Sequence, residues 1–447
     1  MAANPASNFT ADVEAYIADK TLPLARRQLV AYQFGDPAEL PKGRGTTYTA
    51  TRFNRVPLPY APLSEAVPPV GQQMTIGQVS AVCQQWGDKI VITDVAEMTI
   101  KHPLFQKAIE LTALQIAETL ERNTFNSLLA GTQINYVNSR GSRAALIVGD
   151  VLNPYEITRM YGALATIGAP RFNGDERTDM KIEADAGGSK ASSNPRQMPH
   201  YTALIHTLVE QDLRQNSLIV TAWSYSDINK LYNYEVGEWN GLRFCSTNMI
   251  PTFTGVAQIN PTAGTAGSLA TGNYFIVVTA SDTQNQYESR IYQVSASTAV
   301  VGPSGSLTVV LPALSGFTFS VYVGTTSSPT NLGLCTAGPS SGPLQGQATQ
   351  LAPNQSVVIT GLGTAQTPPA APATGLTIYP TFVFGRGAYT QVLLDDVKYV
   401  YLKDADKSDP LNQQRIVGWK CFYGTLISNN TFMGRIESTS AFSTTFG

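Results

Sequence analysis

Metal chemistry is the first possibility that the side chains raise, because histidine and aspartate are common ligands of zinc and calcium. The 447-residue chain has three histidines, His102, His200 and His206. His200 and His206 are six residues apart, a spacing that neither places both imidazoles on one helical face nor matches the His-x-x-x-His pattern of zinc enzymes. We therefore interpret both as polar residues that flank a short strand, 201–205.

An acidic turn near the end of the chain partly resembles a calcium-binding loop. Its oxygen donors would be Asp404, Asp406, Ser408 and Asp409. A calcium loop of this kind needs glycine at its sixth position and a bidentate glutamate at its twelfth, where this chain has Asp409 and Arg415. The sequence therefore favours a solvated turn over a metal site.

The sequence also lacks the motifs of nucleotide-dependent enzymes. It contains neither the Gly-x-Gly-x-x-Gly pattern nor the Gly-x-x-x-x-Gly-Lys-Ser/Thr phosphate loop. The adjacent Asp395 and Asp396 cannot serve a hydrolase as an acid/base pair, because neighbouring residues of a strand point to opposite faces. We predict that the protein is not an enzyme and needs no cofactor.

The charge balance excludes a strongly basic nucleic-acid-binding protein. The chain has 30 basic and 32 acidic side chains and a formal net charge of -2, whereas such a protein has an excess of Lys and Arg. The only local positive cluster comprises Arg26, Arg27, Lys42, Arg44, Arg52 and Arg55. It could face nucleic-acid phosphates or pair with acidic groups of a neighbouring subunit, and its spacing leaves both readings open.

The cysteines and the apolar runs indicate the cellular compartment in which the protein is expected to fold. Four widely separated cysteines, Cys83, Cys245, Cys335 and Cys421, form neither a metal knuckle nor a disulfide framework, so we predict buried, reduced thiols and a cytosolic folding environment. The first 25 residues contain acidic groups and no apolar run, which is unlike a secretory signal. No uninterrupted run of about 18 apolar residues occurs, so we expect a soluble protein.

One long segment, 252–375, differs from the rest of the chain. It contains only three charged residues, begins with a Gly/Thr/Ala run and ends with a Pro/Ala run, boundaries at which an inserted domain is tolerated. Runs rich in β-branched and aromatic residues recur in it at 273–280, 287–296, 306–311, 317–323 and 356–360. Such runs, separated by turn residues and without helical periodicity, predict an inserted β-sandwich.

The host segments contain a long helix, predicted over 103–130. Pro103 suits its first position and Gly131 the residue after its end. Its apolar face comprises Leu104, Phe105, Ala108, Ile109, Leu111, Leu114, Ile116 and Leu120. A Pro-rich stretch, 46–70, precedes the helix and suits an exposed arm that only a partner orders.

The other host segments alternate between helical and β patterns. Segments 154–167 and 224–234 favour helices, whereas 78–99, 397–402 and 415–426 favour strands. The host is therefore predicted to be mixed α and β.

Together, the host segments resemble the major capsid proteins of tailed double-stranded DNA phages. The resemblance is carried by PLSEAVPP (62–69), VCQQWGDKIVITDVAEMT (82–99), HYTALIHTLVEQDLR (200–214), GEWNGLRF (237–244), GRGAYTQVLL (385–394) and DPLNQQRIVGWKCFYG (409–424). The insert is similar to immunoglobulin-like or fibronectin type III modules at GNYFIVVTASDTQNQYES (272–289) and FSVYVGTTSSP (319–329). It departs from many of them in having no core tryptophan.

The resemblance implies an α+β capsid fold with an inserted all-β sandwich. Its parts would be an N-terminal arm (1–45), an extended E-loop with flanking strands (46–100), a capsid core of P-domain and A-domain (101–251 and 376–447) and the insert (252–375). The predicted helix 103–130 would be the spine helix of the P-domain.

The resemblance also implies roles for individual residues. Contacts between subunits would involve Arg26, Arg27, Pro62, Leu63, Glu65, Trp86 and Asp88. The body of the subunit would be stabilised by Arg415, Trp419 and Lys420.

The function that the resemblance implies is self-assembly into an icosahedral shell of hexamers and pentamers around a double-stranded DNA genome. The partners would be further copies of the chain, a portal and a scaffolding or decoration protein, with non-specific contact to DNA at most and none to a membrane. The protein would assemble in the host cytoplasm and reside in the virion, with the insert on the outer surface.

The alternative is a glycan-binding adhesin or a tail-fibre-type surface protein. Only the predicted sandwich favours it. The long apolar helix argues against it, as does the absence of the internal repeats that fibres usually have.

Overall fold

The structure is a computed structural model of the chain. It describes residues 30–43, 45–54, 56, 58, 62, 71–100, 103–172, 199–219, 234–283, 287–335, 350–362, 366–402 and 413–443. The predicted helix 224–234 lies almost entirely outside these residues.

The secondary structure of the described residues is mainly β. The helices are α1 (Asp94–Thr99), α2 (Leu104–Leu129), α3 (Pro154–Ile167) and α4 (Thr207–Arg214), and a 3₁₀ helix spans Ala31–Phe34. The strands are β1 (Asp36–Glu39), β2 (Thr47–Phe53), β3 (Ile76–Val82), β4 (Gln84–Thr93), β5 (Ile134–Tyr136), β6 (Tyr201–His206), β7 (Glu235–Trp239), β8 (Leu242–Thr247), β9 (Phe253–Val256), β10 (Thr262–Leu269), β11 (Gly272–Asp282), β12 (Glu288–Tyr292), β13 (Thr298–Val300), β14 (Gly305–Val310), β15 (Phe317–Gly324), β16 (Gly333–Leu334), β17 (Ser356–Ile359), β18 (Thr377–Phe384), β19 (Tyr389–Leu402), β20 (Gln414–Ile427) and β21 (Met433–Ser438). The expected α+β class is confirmed.

The chain divides into two compact units. The first comprises residues 1–130 and 386–432, and the second comprises 131–385 and 433–447. The segment 252–375 belongs to the second unit, together with host residues on both sides of it.

In the first unit, α2 packs on a four-stranded sheet. The strand order is β1-β19-β20-β4, with β1 parallel to β19 and the other neighbours antiparallel. Ala108 of α2 packs with Val417, and Ile116 packs with Trp419 and Tyr423. Alternate residues of β20 therefore provide the apolar floor on which the helix lies.

Helix α2 matches the predicted helix to within one residue at each end. Pro103 is the N-cap and Ala130 the C-cap. The predicted apolar face is wrong at Leu111, whose side chain is 47% exposed. The buried stripe runs through Ala108, Thr112 and Ile116 at intervals of four residues, and Leu111 lies about 100° away from Thr112 around the helix axis.

The expectation of β structure up to Thr99 is also wrong, because residues 94–99 form α1. The Thr93 side chain accepts a hydrogen bond from the backbone N–H of Ala96 at 3.3 Å, and Asp94 and Glu97 lie in the first turn. A threonine N-cap and acidic first-turn residues both stabilise a helix start.

Strands β2 and β3 form a separate two-stranded antiparallel ribbon, hereafter the ribbon (47–53 and 76–82). The register runs from Thr47 opposite Val82 to Phe53 opposite Ile76. Among the described residues neither strand joins another sheet, and none of their residues is fully buried. A ribbon with no core is marginally stable in water by itself.

In the second unit, one twelve-stranded sheet follows the order β16-β15-β11-β12-β9-β18-β6-β8-β7, with β13, β21 and β5 attached beside it. Strand β18 is buried along nearly its whole length and pairs with β6, β9 and β21. Helix α3 has the bounds predicted for it, with Asn153 as N-cap, Pro154 in its first turn and Gly168 as left-handed C-cap.

The five strands predicted within 252–375 are all present, as β11, β12, β14, β15 and β17. The three-stranded sheet β10-β14-β17 and the strands β11, β12 and β15 share one apolar core. Leu307 and Val357 enter this core from the first sheet, whereas Ile276, Phe319 and Val321 enter it from the second. Two sheets that enclose one core form a sandwich.

The sandwich is joined to the host strands by backbone pairing rather than only by its Pro/Ala run. Strand β9 pairs with β12 of the sandwich and with β18 of the host. The end of the Pro/Ala run lies beside β9, where the Gly375 N–H donates a hydrogen bond to the Gly255 carbonyl at 2.9 Å. A Cβ at Gly255 would lie 2.2 Å from the Ala373 oxygen, so only glycine fits here.

The prediction for the thiols is confirmed: Cys83, Cys245, Cys335 and Cys421 are all buried and form no disulfide.

Candidate assembly surfaces

The ribbon carries a set of exposed apolar side chains. Phe53 is 62% exposed and its cross-strand partner Ile76 is 55% exposed. Val79, Val82 and the neighbouring Met74 are exposed as well. Scattered apolar residues are normal on a protein surface, but several on one pair of strands indicate a contact site.

The base of the ribbon is fixed to the subunit by Trp86 and Asp88 of β4. Trp86 packs against the cluster around Ile116 and lies 5.5 Å from the guanidinium carbon of Arg122. The Gln115 amide donates to Asp88 Oδ2 at 2.7 Å, while its Oε1 accepts a hydrogen bond from Trp419 Nε1 at 3.1 Å. Both predicted contact residues therefore have partners within their own subunit.

Of the other predicted contact residues, the structure describes only Pro62. Pro62 is exposed. Leu63, Glu65, Arg26 and Arg27 lie outside the described residues. Contact between subunits at these positions stays a prediction.

The three residues expected to stabilise the subunit body differ in environment. Trp419 is 5% exposed and lies in the core beneath α2. Arg415 forms an ion pair with Glu97 of α1. Lys420 is exposed, because side chains alternate along β20 and Trp419 and Cys421 lie on the covered face. A stabilising role for these three residues stays a prediction.

A buried glutamate on α2, Glu121, was not singled out from the sequence. Its Oε1 accepts the backbone N–H groups of Val30 and Ala31 at 2.7 and 2.6 Å, and its Oε2 accepts that of Tyr32 at 2.9 Å. Burial raises the pKa of this carboxyl group, although the three N–H donors act in the opposite direction. The spacing along the helix could have indicated that Glu121 is buried, because it lies four and seven residues before the buried Phe125 and Leu128 and therefore on the same helical face.

Buried charge also holds the second unit together. Arg143 donates to both carboxylate oxygens of Glu437 at 2.5 and 2.6 Å and to the Ala370 carbonyl at 2.8 Å. Its guanidinium carbon lies 3.8 Å from the ring centroid of Phe253, and Arg435 pairs with Glu437 at 3.1 Å. The planar guanidinium thus ties both ends of the 252–375 segment to β21.

The two described histidines serve structural purposes. His200 is buried and stacks on Phe172 at 6.1 Å. His206 caps α4, with Nδ1 accepting the backbone N–H of Leu208 at 3.2 Å. Burial lowers the pKa of His206 to about 4.

The described residues contain no cluster of three or more His, Cys, Asp or Glu side chains that could hold a metal ion. The acidic turn 404–409 lies outside them. Within the same part of the chain, no helix is long and apolar enough to cross a bilayer.

Comparison with known proteins places this architecture among phage capsids. No protein-family model and no curated protein sequence matches the chain. The chain is similar to the capsid of Ralstonia phage GP4, with a TM-score of 0.51, 8% identity, and 96% of this chain and 95% of that chain covered. The chain shares the fold of that phage capsid.

Two further solved structures give lower scores. The cyanophage P-SCSP1u capsid has a TM-score of 0.49 and 10% identity, covering 96% of this chain and 94% of that chain. The cyanophage Pam1 capsid has a TM-score of 0.47 and 10% identity, covering 97% of this chain and 98% of that chain.

Proposed function

We propose that this chain is the major shell subunit of a tailed double-stranded DNA phage, with a structural and not an enzymatic role. The observation that carries the proposal is the capsid fold, shared over almost the full length of both chains. The ribbon supports it independently, because an uncovered pair of strands with exposed Phe53 and Ile76 calls for a partner.

In this role, subunits associate with further copies as hexamers and pentamers of a closed icosahedral lattice. Each contact can be weak, since many act together in a closed shell. The shell would enclose the genome, and the portal and a scaffolding or decoration protein would be its other partners. Assembly would take place in the host cytoplasm and the product would be the virion.

The 252–375 sandwich is proposed to project from the outer surface of the shell. Its core is closed on itself, and among its described residues the only charged groups are Asp282, Glu288 and Arg290. A neutral surface neither attracts nor repels DNA phosphates. The pairing of β9 with both β12 and β18 would hold the sandwich in a fixed orientation.

The test is sedimentation and negative-stain electron microscopy of the overexpressed, unfractionated protein. Hollow shells, or rings of five or six subunits, are expected. A monomer that stays unassembled even when a scaffolding protein is co-expressed, and that binds glycans on an array, would overturn the proposal in favour of an adhesin.

A further inference from the structure

Strand β19 has a free edge near its end. Strand β1 pairs with β19 only between Thr390 and Leu393, and Lys42, which follows β1, forms an ion pair with Asp395. Residues 398–402 pair with β20 on one side and, among the described residues, with no strand on the other. At about 3.3 Å per residue, this edge presents a row of unpaired backbone N–H and C=O groups about 17 Å long.

Apolar side chains lie on both faces of this edge. Tyr399, Val400, Tyr401 and Leu402 are each between 40% and 47% exposed. The rings of Tyr399 and Tyr401 lie 6.2 Å apart and within 3° of parallel on one face, whereas Val400 and Leu402 lie on the other. Residues 399–402 contain neither a charge nor a proline, the features that usually prevent a free edge from pairing. The edge therefore suits the addition of a further strand.

Three lysines lie on the Val400 face of the same sheet. Lys398 is directly opposite Lys420 of β20. Lys89 of β4 is opposite Gly418, which is itself opposite Val400. All three lysines are exposed. Like charges at directly opposite positions destabilise a sheet, so a negatively charged partner relieves a cost that the isolated subunit carries.

Little negative charge balances these lysines. Asp395 supplies the described carboxylate on this part of the face, and Lys42 and Lys398 share it. Lys89 and Lys420 form no ion pair with any described residue. The surface beside the edge is therefore positive, although the chain has a formal net charge of -2.

We propose that the edge 398–402 binds an acidic segment of a different protein as an added β-strand. In strand addition, backbone hydrogen bonds supply affinity and alternate side chains supply specificity. Acidic side chains of the added strand would face Lys398 and Lys420, and the apolar side chains between them would pack on Tyr399 and Tyr401. The inference rests on the proposed function, in which the shell has a scaffolding or decoration protein as a partner, and it assigns that partner a docking site.

Two other occupants fit this edge less well. A second copy that paired at the same edge, about a two-fold axis normal to the sheet, would bring its own lysines to the same face and add like charge. The phosphates of a nucleic acid accept hydrogen bonds but donate none, so the C=O groups of the edge would lose water without gaining a partner. An acidic polypeptide satisfies both the lysines and the edge.

The first test measures binding of a fluorescein-labelled peptide, Glu-Val-Glu-Val-Glu-Val-Glu, to the unassembled full-length chain by anisotropy. Lys420→Glu places a carboxylate opposite Lys398, so the sheet gains a favourable cross-strand pair while the face loses positive charge. Lys107→Glu, at a partly exposed position of α2 on the other side of the sheet, changes the net charge equally and is the matched control. We expect saturable binding that Lys420→Glu weakens by about tenfold or more and Lys107→Glu leaves within about twofold.

The second test shows whether the peptide binds as a strand. Successive N–H groups of a strand point to opposite edges, so methylation of the glutamate nitrogens blocks one edge of the peptide and methylation of the valine nitrogens blocks the other. One methylated peptide should bind about tenfold more weakly than the unmodified peptide, and the other should bind within about threefold of it. This test uses the unaltered chain and does not depend on how any variant folds.

The inference is overturned if the peptide shows no saturable binding, if both lysine variants with normal circular dichroism weaken it equally, or if the two methylated peptides bind equally. Binding of a DNA duplex of about 20 base pairs, abolished by Lys420→Glu when the peptide does not bind, would assign the lysines to phosphates instead. Self-association of the unassembled chain that Lys420→Glu strengthens, again without peptide binding, would assign the edge to a second copy.

Assembly separates this inference from the proposed function. Shells or rings formed by the unaltered chain, without any binding of the peptide, would overturn the docking site alone. Failure of the chain to form any shell or ring with its scaffold, while the peptide still binds, would instead overturn the proposed function.

Discussion

The ribbon and the 252–375 sandwich are both mainly antiparallel β structure, yet they treat apolar side chains in opposite ways. In the ribbon, Phe53 and Ile76 are more than half exposed. In the sandwich, Phe319 and Ile276 are completely buried between two sheets. One region is completed by its own second layer, whereas the other is left for a partner to complete. Apolar side chains in the sandwich therefore stabilise the folded subunit, whereas those in the ribbon are available for contact with a partner.

The largest effect is expected when the ribbon is made polar. Phe53→Ser combined with Ile76→Ser should reduce the assembled fraction by about 100-fold or more, because the lost contact recurs in every subunit of the lattice. The melting temperature of the unassembled subunit should stay within about 2 °C, since neither side chain lies in a core. Sedimentation and calorimetry measure the two quantities.

The matched control lies in the sandwich. Val310 is 60% exposed, close to the value for Phe53, so Val310→Ser tests whether any exposed apolar residue matters equally. Normal assembly of Val310→Ser is expected. Equal loss in both variants would remove the distinction between the two regions.

The second prediction concerns the sandwich core. Phe319→Ala should lower the free energy of unfolding of the sandwich by about 3–5 kcal/mol, because it removes a fully buried ring and leaves a cavity. Hydrogen exchange should accelerate in β11 and β15 but not in α2. The exposed Val301→Ala should change stability by less than about 0.5 kcal/mol. Equal acceleration in α2 would show that the two units unfold together.

The third prediction concerns acid stability of the second unit. Burial lowers the pKa of His206 from 6.5 to about 4, so the folded state binds this proton more weakly than the unfolded state. Its contribution to stability is complete above pH 6.5 and is lost as the pH falls through 4, by up to about 3 kcal/mol. His206→Asn should keep the cap on α4 and flatten the pH dependence of urea unfolding. Parallel curves for the two proteins would contradict the assignment.

The smallest effect is expected at Glu121. Glu121→Gln offers one acceptor oxygen instead of two, so one backbone N–H of residues 30–32 loses its partner, at about 1–2 kcal/mol. Because burial raises the Glu121 pKa, its contribution to stability is complete below the unfolded pKa and declines as the pH rises through the folded pKa. The gap between variant and unaltered chain should therefore be wider at pH 4 than at pH 7.

Chemical denaturation at both pH values measures this gap. Glu110→Gln on the exposed face of α2 serves as the control, since its partner is the exposed Lys107 and surface pairs contribute little. A gap that widens as the pH rises would contradict the direction given for Glu121.

Local signals in the sequence were strong enough to predict several elements closely. Pro103 and Gly131 bounded α2 to within one residue, and the helical pattern over 154–167 coincides with α3. Runs of β-branched residues located β11, β14 and β15. Caps and periodicity depend on neighbouring residues, so they can be read without knowing the fold.

Other features depended on residues distant in the chain. Residues 94–99 were predicted to continue a strand, although they form helix α1. Lys420 was expected to stabilise the subunit body, although side-chain alternation along β20 exposes it. Contact between subunits stays a prediction at every residue named for it, and Leu63, Glu65, Arg26 and Arg27 lie outside the described residues. The cavity of about 280 Å³ in the first unit is lined by residues from β3, α2 and β20, among them Val82, Asn123 and Thr425, which no local sequence pattern connects.

Neighbouring residues alone were enough to locate α2, α3 and the strands within 252–375, and to show that this segment is almost uncharged. The fold was needed to show that β9 pairs with both β12 and β18, that Glu121 accepts hydrogen bonds from residues 30–32, and that the ribbon has no core of its own. Propensity and capping act within a few residues, whereas burial and strand pairing depend on distant parts of the chain.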